Sequence, residues 1–340
     1  MPFNYKTKPY EHQEEALLRS FNRKNYAYFM EMGCGKSKVL IDNITWLYEN
    51  KKIDTAIIIA PKGVYMNWKN AEIPIHLPDN IKKNVYIWKA SANKTEKKVL
   101  EEGVKTRDKL RILLVNVESF ATAKVIKYLE AFTHRSNFIL AVDESTTIKN
   151  IKAKRTKSVL KLGDSAQYKR ILTGSPITQS PMDLYAQCAF LDKDLLGFDS
   201  YWSFQGRYAI VRQTRMGNHS FQQVVGFKNL EELTDKLHNF AYRVTKKEAL
   251  DLPDKIYTTR EVVLTSDQIK HYNSMKDVAV AFLEGGDMVT APEVMTRLLR
   301  LQQLLCGYLV TDDGETVEIA NHRIDAMLDT IAEMDGKVII

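Results

Sequence analysis

Residues Met32 to Ser37 read Met-Gly-Cys-Gly-Lys-Ser, preceded by the apolar run Tyr26 to Met30 and followed by a helical repeat at Leu40, Ile44, Leu47 and Tyr48. A strand, a glycine-bearing turn and a helix in that order make a phosphate-binding loop. Glycines let backbone N–H groups approach phosphate oxygens, a lysine reaches the outer phosphates, and a small hydroxyl serves the accompanying magnesium ion. Gly33, Gly35, Lys36 and Ser37 fill those places, and Cys34 and Lys38 belong to the same nucleotide-binding segment. The positive end of the helix points at the phosphates. The strict motif has a glycine five residues before its second one, where this chain has Met30. The reading therefore rests on the short form together with its flanking strand and helix.

The apolar, branched run Phe138 to Val142 suits a buried strand and ends in Asp143-Glu144. An aspartate at the carboxyl end of a strand beside a phosphate loop can hold Mg2+, and an adjacent glutamate can orient the attacking water. Taken alone, such a pair is more often a helix cap or a solvated turn. About 110 residues after a phosphate loop, it reads instead as the partner of Lys36 in a catalytic set, with Ser37 and Asp143 on the metal.

Between Tyr26 and Thr173 short apolar strands alternate with helical stretches, at Ala56 to Ala60, Ile112 to Val117, Phe138 to Val142 and Arg170 to Thr173. That alternation predicts an α/β fold, a parallel sheet with helices on both faces and ligands at its strand ends. After Met182 the texture changes to an aromatic stretch, Tyr201-Trp202 and Phe204, then a polar, glycine-bearing segment from Arg207 to His219 expected to be a loop. Three parts follow: a first lobe over 1–188, a mostly helical insertion over 189–250, and a further segment over 251–340. In the last, Ile256 to Leu264 alternates as a strand does, and Thr265-Ser266-Asp267-Gln268 makes a capping box. Helices are expected at Asp267 to Leu283, Pro292 to Cys306 and Asn321 to Met334.

Further landmarks carry a family resemblance: Tyr10-Glu-His-Gln-Glu-Glu-Ala16, Ala60-Pro61-Lys62-Gly63 with Asn67-Trp68, Asp143-Glu144-Ser145-Thr146 with Ile148-Lys149-Asn150, and Leu172-Thr173-Gly174-Ser175-Pro176. Together with the Met32 to Ser37 loop, in chain order, they resemble motifs Q, I, Ia, II and III of superfamily 2 helicases. Tyr242-Arg243-Val244-Thr245-Lys246-Lys247, Leu252-Pro253-Asp254-Lys255 and Arg297-Leu298-Leu299-Arg300-Leu301-Gln302-Gln303 narrow it to the Swi/Snf-related double-stranded DNA translocases. The resemblance covers nearly the whole chain and implies a RecA-like first lobe, ATP and Mg2+ as ligands, and duplex DNA as partner. It makes Gln13 the adenine-reading residue, Thr146, Thr173, Gly174 and Ser175 the coupling residues, and Lys62 a DNA contact. Lys149, Lys152, Lys154 and Arg155, crowded together without an acid, are DNA contacts or a solvated helix face. Arg243, Lys246 and Lys247 are DNA contacts or a latch between lobe and insertion.

Departures from the family pattern matter too. Ser145-Thr146 stands where Ala-His is usual, and Thr146 has neither the reach nor the ring that bridges motif II to motif III in relatives. Gln179 and Asp183 replace an asparagine and a glutamate. Gly336 to Ile340 resembles the opening strand of a second RecA-like lobe, and no motif V or VI is visible. Since an arginine finger is worth roughly 10³ to 10⁵ in rate, these 340 residues are expected to bind nucleotide and turn it over poorly.

Composition sets the outer bounds. With 44% hydrophobic residues the chain can build a proper core. No apolar run approaches the roughly 18 residues of a membrane span, and the N-terminus has no signal-peptide core. Cys34, Cys188 and Cys306 are far apart, which argues for a reducing compartment and against structural zinc. A cytoplasmic protein of a bacterial or phage-infected cell is the expected setting. The net charge of +7, from 49 basic and 42 acidic residues, is too modest to prove nucleic-acid binding on its own. A strand-separating or RNA-directed helicase and a non-hydrolysing, nucleotide-responsive DNA-binding module remain as alternatives.

Overall fold

The computed structural model describes residues 3–216, 219–251, 253, 255–284, 291–310 and 313–339. Clustering of contacts divides the chain into two units, Met1–Pro253 and Asp254–Ile340.

Seven strands of the first unit form one all-parallel sheet: β1 (Asn25–Met30), β2 (Thr55–Ala60), β3 (Lys83–Ile87), β4 (Leu110–Asn116), β5 (Phe138–Asp143), β6 (Tyr168–Leu172) and, after a two-stranded hairpin of β7 (Ala209–Met216) and β8 (His219–Phe227), β9 (Ala241–Val244). Their order across the sheet is β3-β4-β2-β5-β6-β1-β9. Because the strands are covered on both sides, they read as continuous apolar runs rather than as alternating ones. Successive side chains still go to opposite faces. Ala27 and Phe29 of β1, Ile57 and Ile59 of β2, and Leu140 and Val142 of β5 belong to one core. Tyr26, Tyr28 and Met30, Ala56 and Ile58, and Ile139 and Ala141 belong to the other. Helix α1 (Glu11–Ser20) and helix α2 (Lys36–Glu49) pack on the second face. The first face is covered by α3 (Lys94–Lys105), α4 (Ala123–Thr133), α5 (Lys154–Gly163) and α6 (Asp183–Leu191). The expected fold, a parallel sheet clad in helices, is what the chain adopts.

One buried charge ties this lobe together. Arg170 of β6 donates to the carbonyls of Ser20, Arg23, Lys24 and Lys169 and to Asn43 Oδ1, at 2.8 to 3.0 Å. It thereby satisfies the carbonyl end of α1, where the helix leaves orphan acceptors.

The insertion differs from expectation. It holds α7 (Tyr201–Tyr208) and α8 (Leu230–His238), but between them runs the antiparallel hairpin of β7 and β8, so the expected loop from Arg207 to His219 is largely strand. The hairpin is a polar ribbon whose apolar residues Ile210, Val211 and Val225 are exposed. Ala209 and Val224 at its base meet the core while Arg212, Gln213, Gln222 and Gln223 are exposed, so its sequence lacks the period-two pattern that announces a strand. Within 189–250, α6 runs on through Leu191 and β9 returns to the main sheet beside β1.

In the second unit the capping box holds: Gln268 N–H donates to Thr265 Oγ1 at 3.2 Å, and Thr265 N–H to Gln268 Oε1 at 3.1 Å. Helices α9 (Ser266–Glu284), α10 (Ala291–Leu305) and α11 (Arg323–Ala332) stand close to where the periodicity predicts them. A small hairpin of β10 (Tyr308–Val310) and β11 (Thr316–Glu318) joins α10 to α11. Ile256 to Leu264 forms no strand, and Ile256, Tyr257 and Val263 lie exposed. Alternation without a neighbouring strand to pair with does not make a sheet. Residues 336–339 are likewise not strand, and Ile340 lies outside the described residues, as do Leu252 and Asp254 of the Leu252 to Lys255 motif. Among the described residues no helix is long and apolar enough to cross a membrane.

Candidate nucleotide site

Parallel strands bring the ends of β1, β2, β5, β6 and β9 to one edge of the sheet, where ligands of open α/β folds bind. The phosphate loop leaves β1 there. Gly33 and Gly35 have φ of 88° and 83°, a left-handed backbone that a side chain strains. At Gly35 a Cβ would also meet Gln13 Nε2 at 2.3 Å. Helix α1 grips the loop from outside, with His12 Nε2 at 2.9 Å and Gln13 Nε2 at 3.2 Å from the Cys34 carbonyl. Gln13 Oε1 accepts the Tyr10 N–H at 3.1 Å. Each end of that amide thus has one bond within the protein and one bonding position left for an adenine edge.

Lys36 lies at the first turn of α2, and its ammonium donates to the Met30 carbonyl at 2.9 Å. The half-buried Ser37 hydroxyl has no partner among the described residues. Cys34 is fully buried, and burial with the Glu31 charge raises its thiol pKa, so it is a protonated filler rather than a reactive thiolate. Lys38 corrects the expectation that its side chain serves the nucleotide. Its ammonium is buried against Asp42 at 2.7 Å and over the Tyr5 ring. The cause is the helix period: two residues beyond Lys36, the side chain points to a different face of α2.

Two strand spacings, about 10 Å, separate β1 from β5, with β6 between them. Asp143 ends β5 only 6% exposed. Its Oδ2 accepts Trp68 Nε1–H at 2.9 Å and its Oδ1 the Glu144 N–H at 3.0 Å. Burial raises its pKa, while Trp68, the Glu144 N–H and the Lys36 charge pull it down. Glu144 follows at φ 48°, ψ 59°, a strained conformation for a residue with a side chain. Burial and the Asp143 charge raise its pKa, and Lys36 opposes them. The Lys36 charge thus lowers the proton affinity of both carboxylates, which stand at the same end of the sheet as the loop.

Trp68, which carried no role in the sequence, is the side chain that holds the Asp143 carboxylate. Nothing in the spacing links it to a carboxylate 75 residues away. Trp68→Phe keeps an apolar ring in its buried place but leaves Asp143 Oδ2 without its donor, the Glu144 N–H to Oδ1 remaining. Because partners that orient ligating carboxylates are typically worth 10- to 100-fold in metal affinity, the Mg2+ dependence of nucleotide binding is expected to shift about tenfold to higher Mg2+. An unshifted magnesium titration would show that the Trp68 bond has no part in the site.

Between these strands, Thr173 N–H donates to the Tyr28 carbonyl at 3.1 Å, and Thr173 Oγ1 accepts the Ser175 N–H at 3.2 Å. Gly174 lies flush against the loop, since a Cβ there would stand 3.2 Å from Met32 N. Motif II is joined to motif III by a route other than Thr146. Ser145 Oγ donates to Gln187 Oε1 at 2.6 Å, and Gln187 Nε2 donates to the Pro176 carbonyl at 2.8 Å. Ser145 and Gln187 are both fully buried. A serine in the place of the usual alanine was the sequence signal for it.

The DNA candidates are divided. Lys62 is exposed just beyond β2, and Lys154 is exposed at the start of α5. Lys152 is exposed with its ammonium over the Trp202 ring at 5.2 Å. Lys149 is engaged, donating to Thr178 Oγ1 at 2.5 Å with Asp183 at 3.4 Å, and Arg155 is half-buried. Lys149, Lys152, Gln179 and Trp202 line a cleft of about 660 Å³.

Residues 17–308 match the SNF2-related domain family. The chain is 26% identical over 296 residues to the human helicase-like transcription factor, covering 82% of this chain and 27% of that protein. It is 28% identical over 307 residues to the SWI/SNF chromatin-remodeling complex subunit snf22 of Schizosaccharomyces pombe, covering 87% of this chain and 17% of that one. The chain thus spans about a quarter or less of these curated relatives. Among solved structures, the Sulfolobus solfataricus SWI2/SNF2 ATPase core in complex with dsDNA is similar with a TM-score of 0.55 and 23% identity, over 97% of this chain and 65% of that one. The Sulfolobus solfataricus SWI2/SNF2 ATPase core domain gives a TM-score of 0.53 at 24% identity, over 90% of this chain and 58% of that one. With the family matched across most of its length and its motifs gathered on one sheet edge, this chain belongs to the SNF2-related family.

Proposed function

We propose that this chain is the ATP-binding lobe of a motor that hydrolyses ATP and moves along duplex DNA. The observation that carries the reading is the convergence of the Gly33 to Ser37 loop, Lys36, Asp143 and Glu144 on the edge that also bears motif III. Lys36 leaves the Met30 carbonyl for the phosphate tail, and the loop N–H groups and the N-terminus of α2 share the remaining charge. The Ser37 hydroxyl and the Asp143 carboxylate are hard oxygen donors of the kind Mg2+ takes, so the donor set fits that ion. Bound there, magnesium neutralises charge on the outer phosphates. Glu144, with its raised proton affinity, holds the attacking water and accepts its proton. The Ser145, Gln187 and Pro176 chain gives motif II a contact with motif III, which favours a hydrolysing motor over a passive nucleotide-responsive module. Movement also needs a second lobe, as in the two-lobed members of the family.

Duplex DNA as the track is supported by the DNA-bound Sulfolobus core and by the exposed Lys62, Lys152 and Lys154. Backbone contacts of this kind are salt-sensitive and nearly blind to sequence. A cytoplasmic setting accords with Cys34, Cys188 and Cys306, all free thiols. Steady-state turnover by the full-length polypeptide carrying this sequence tests the reading. Blunt duplex DNA is expected to stimulate it strongly, and single-stranded DNA or RNA weakly. Stimulation by RNA or single strands alone would assign it to the strand-separating or RNA-directed helicases.

A further inference from the structure

The chain returns from the insertion to the phosphate loop. Strand β9 ends at Val244, whose carbonyl accepts the Glu31 N–H at 2.9 Å, so the strand is stitched to the first residue of the loop. The turn that follows is capped by Glu248, whose carboxylate accepts the Thr245 N–H at 2.7 Å and hydroxyl at 2.8 Å. Lys246 then donates its own N–H to the Glu31 carboxylate at 2.8 Å. These bonds lay the Lys246 side chain over Gly33, with Cε 3.3 Å and Nζ 3.9 Å from where a Cβ on that glycine would be. Both nearby acids are thus occupied by backbone or hydroxyl donors. Among the described residues the Lys246 ammonium has no hydrogen-bond or ion-pair partner. A half-buried lysine without a counter-ion, held over an anion-binding loop, is a charge prepared for a ligand.

We propose that Lys246 is a second phosphate-binding lysine, delivered by β9 to complement Lys36. The proposal rests on the nucleotide reading of the Gly33 to Ser37 loop and adds a group from the far end of the lobe, 215 residues away in sequence from the Glu31 that anchors it. It also gives the long excursion between α6 and β9 a consequence, because the strand that closes the excursion carries part of the binding site.

The test is titration of the protein with a fluorescent ATP analogue, with ADP and with adenosine, for wild type, Lys246→Ala, Lys246→Glu and Lys246→Arg. Lys246→Ala is expected to weaken ATP binding about tenfold or more, the worth of one charge-assisted hydrogen bond. Lys246→Glu weakens it further, Lys246→Arg recovers most of it, and adenosine binds all four alike. The salt dependence of ATP binding becomes shallower in Lys246→Ala. Unchanged ATP affinity in Lys246→Ala would overturn the proposal while leaving the nucleotide reading in place. Equal losses for ATP and adenosine would also overturn it, by assigning Lys246 to the shape of the loop. A wild-type protein that binds no nucleotide would remove the underlying reading itself.

Discussion

Lys36→Ala is expected to lower affinity for MgATP by a factor of about 100 or more, since several charge-assisted contacts to phosphate are lost together. The cost in stability is expected to be small, about 1 kcal/mol, because the ammonium makes one hydrogen bond, to the Met30 carbonyl. Binding and folding therefore separate cleanly in this variant. Titration with a fluorescent ATP analogue reads the first, and thermal unfolding reads the second. Undiminished affinity would mean that the nucleotide binds elsewhere. A large fall in melting temperature would mean that Lys36 holds the lobe together rather than its ligand.

The second large effect is on turnover. Glu144→Gln retains the size of the side chain and its left-handed backbone position, but it cannot accept a proton from water. Loss of a positioned general base costs about 10²- to 10⁴-fold in rate, and that loss is expected in DNA-stimulated hydrolysis by the full-length polypeptide. Affinity for ATP should be unchanged or tighter, because the variant removes a negative charge adjacent to Asp143 and within the influence of Lys36. The pair of variants assigns roles that either alone leaves ambiguous. Lys36→Ala fails at binding, whereas Glu144→Gln binds and fails at chemistry. Rapid turnover in Glu144→Gln would move the general base to another residue.

How much of this site was legible in the chain follows from the range of its interactions. The phosphate loop was readable because its chemistry is local: glycines, lysine and serine act within one turn between a strand and a helix. Asp143-Glu144 was readable because a buried strand announces itself by composition and the pair marks its end. The Trp68 bond to Asp143, the Ser145 to Gln187 bridge and the placement of Lys246 over Gly33 join residues 75, 42 and 213 positions apart. Such contacts depend on the lateral order of the strands, which period and spacing do not encode. The same limit hid β9, since four residues, Ala241–Val244, give too short a run to announce the strand that closes the sheet beside β1. The β7 and β8 hairpin was missed for the opposite reason, because a largely polar ribbon has no apolar alternation to read. Resemblance made Thr146 a coupling residue by position while its short side chain counted against a bridge there, and the bond that joins motif II to motif III runs from the neighbouring Ser145.

The central claim is that one nucleotide spans the loop after β1 and the carboxylate at the end of β5. A crystal structure with a non-hydrolysable ATP analogue and Mn2+, located by its anomalous scattering, tests it most directly. The phosphates should lie on the N–H groups of Gly33 to Ser37, with the metal within about 4.5 Å of both Ser37 Oγ and the Asp143 carboxylate, directly or through one water. Phosphates bound away from that loop, or a metal remote from Asp143, would contradict the account.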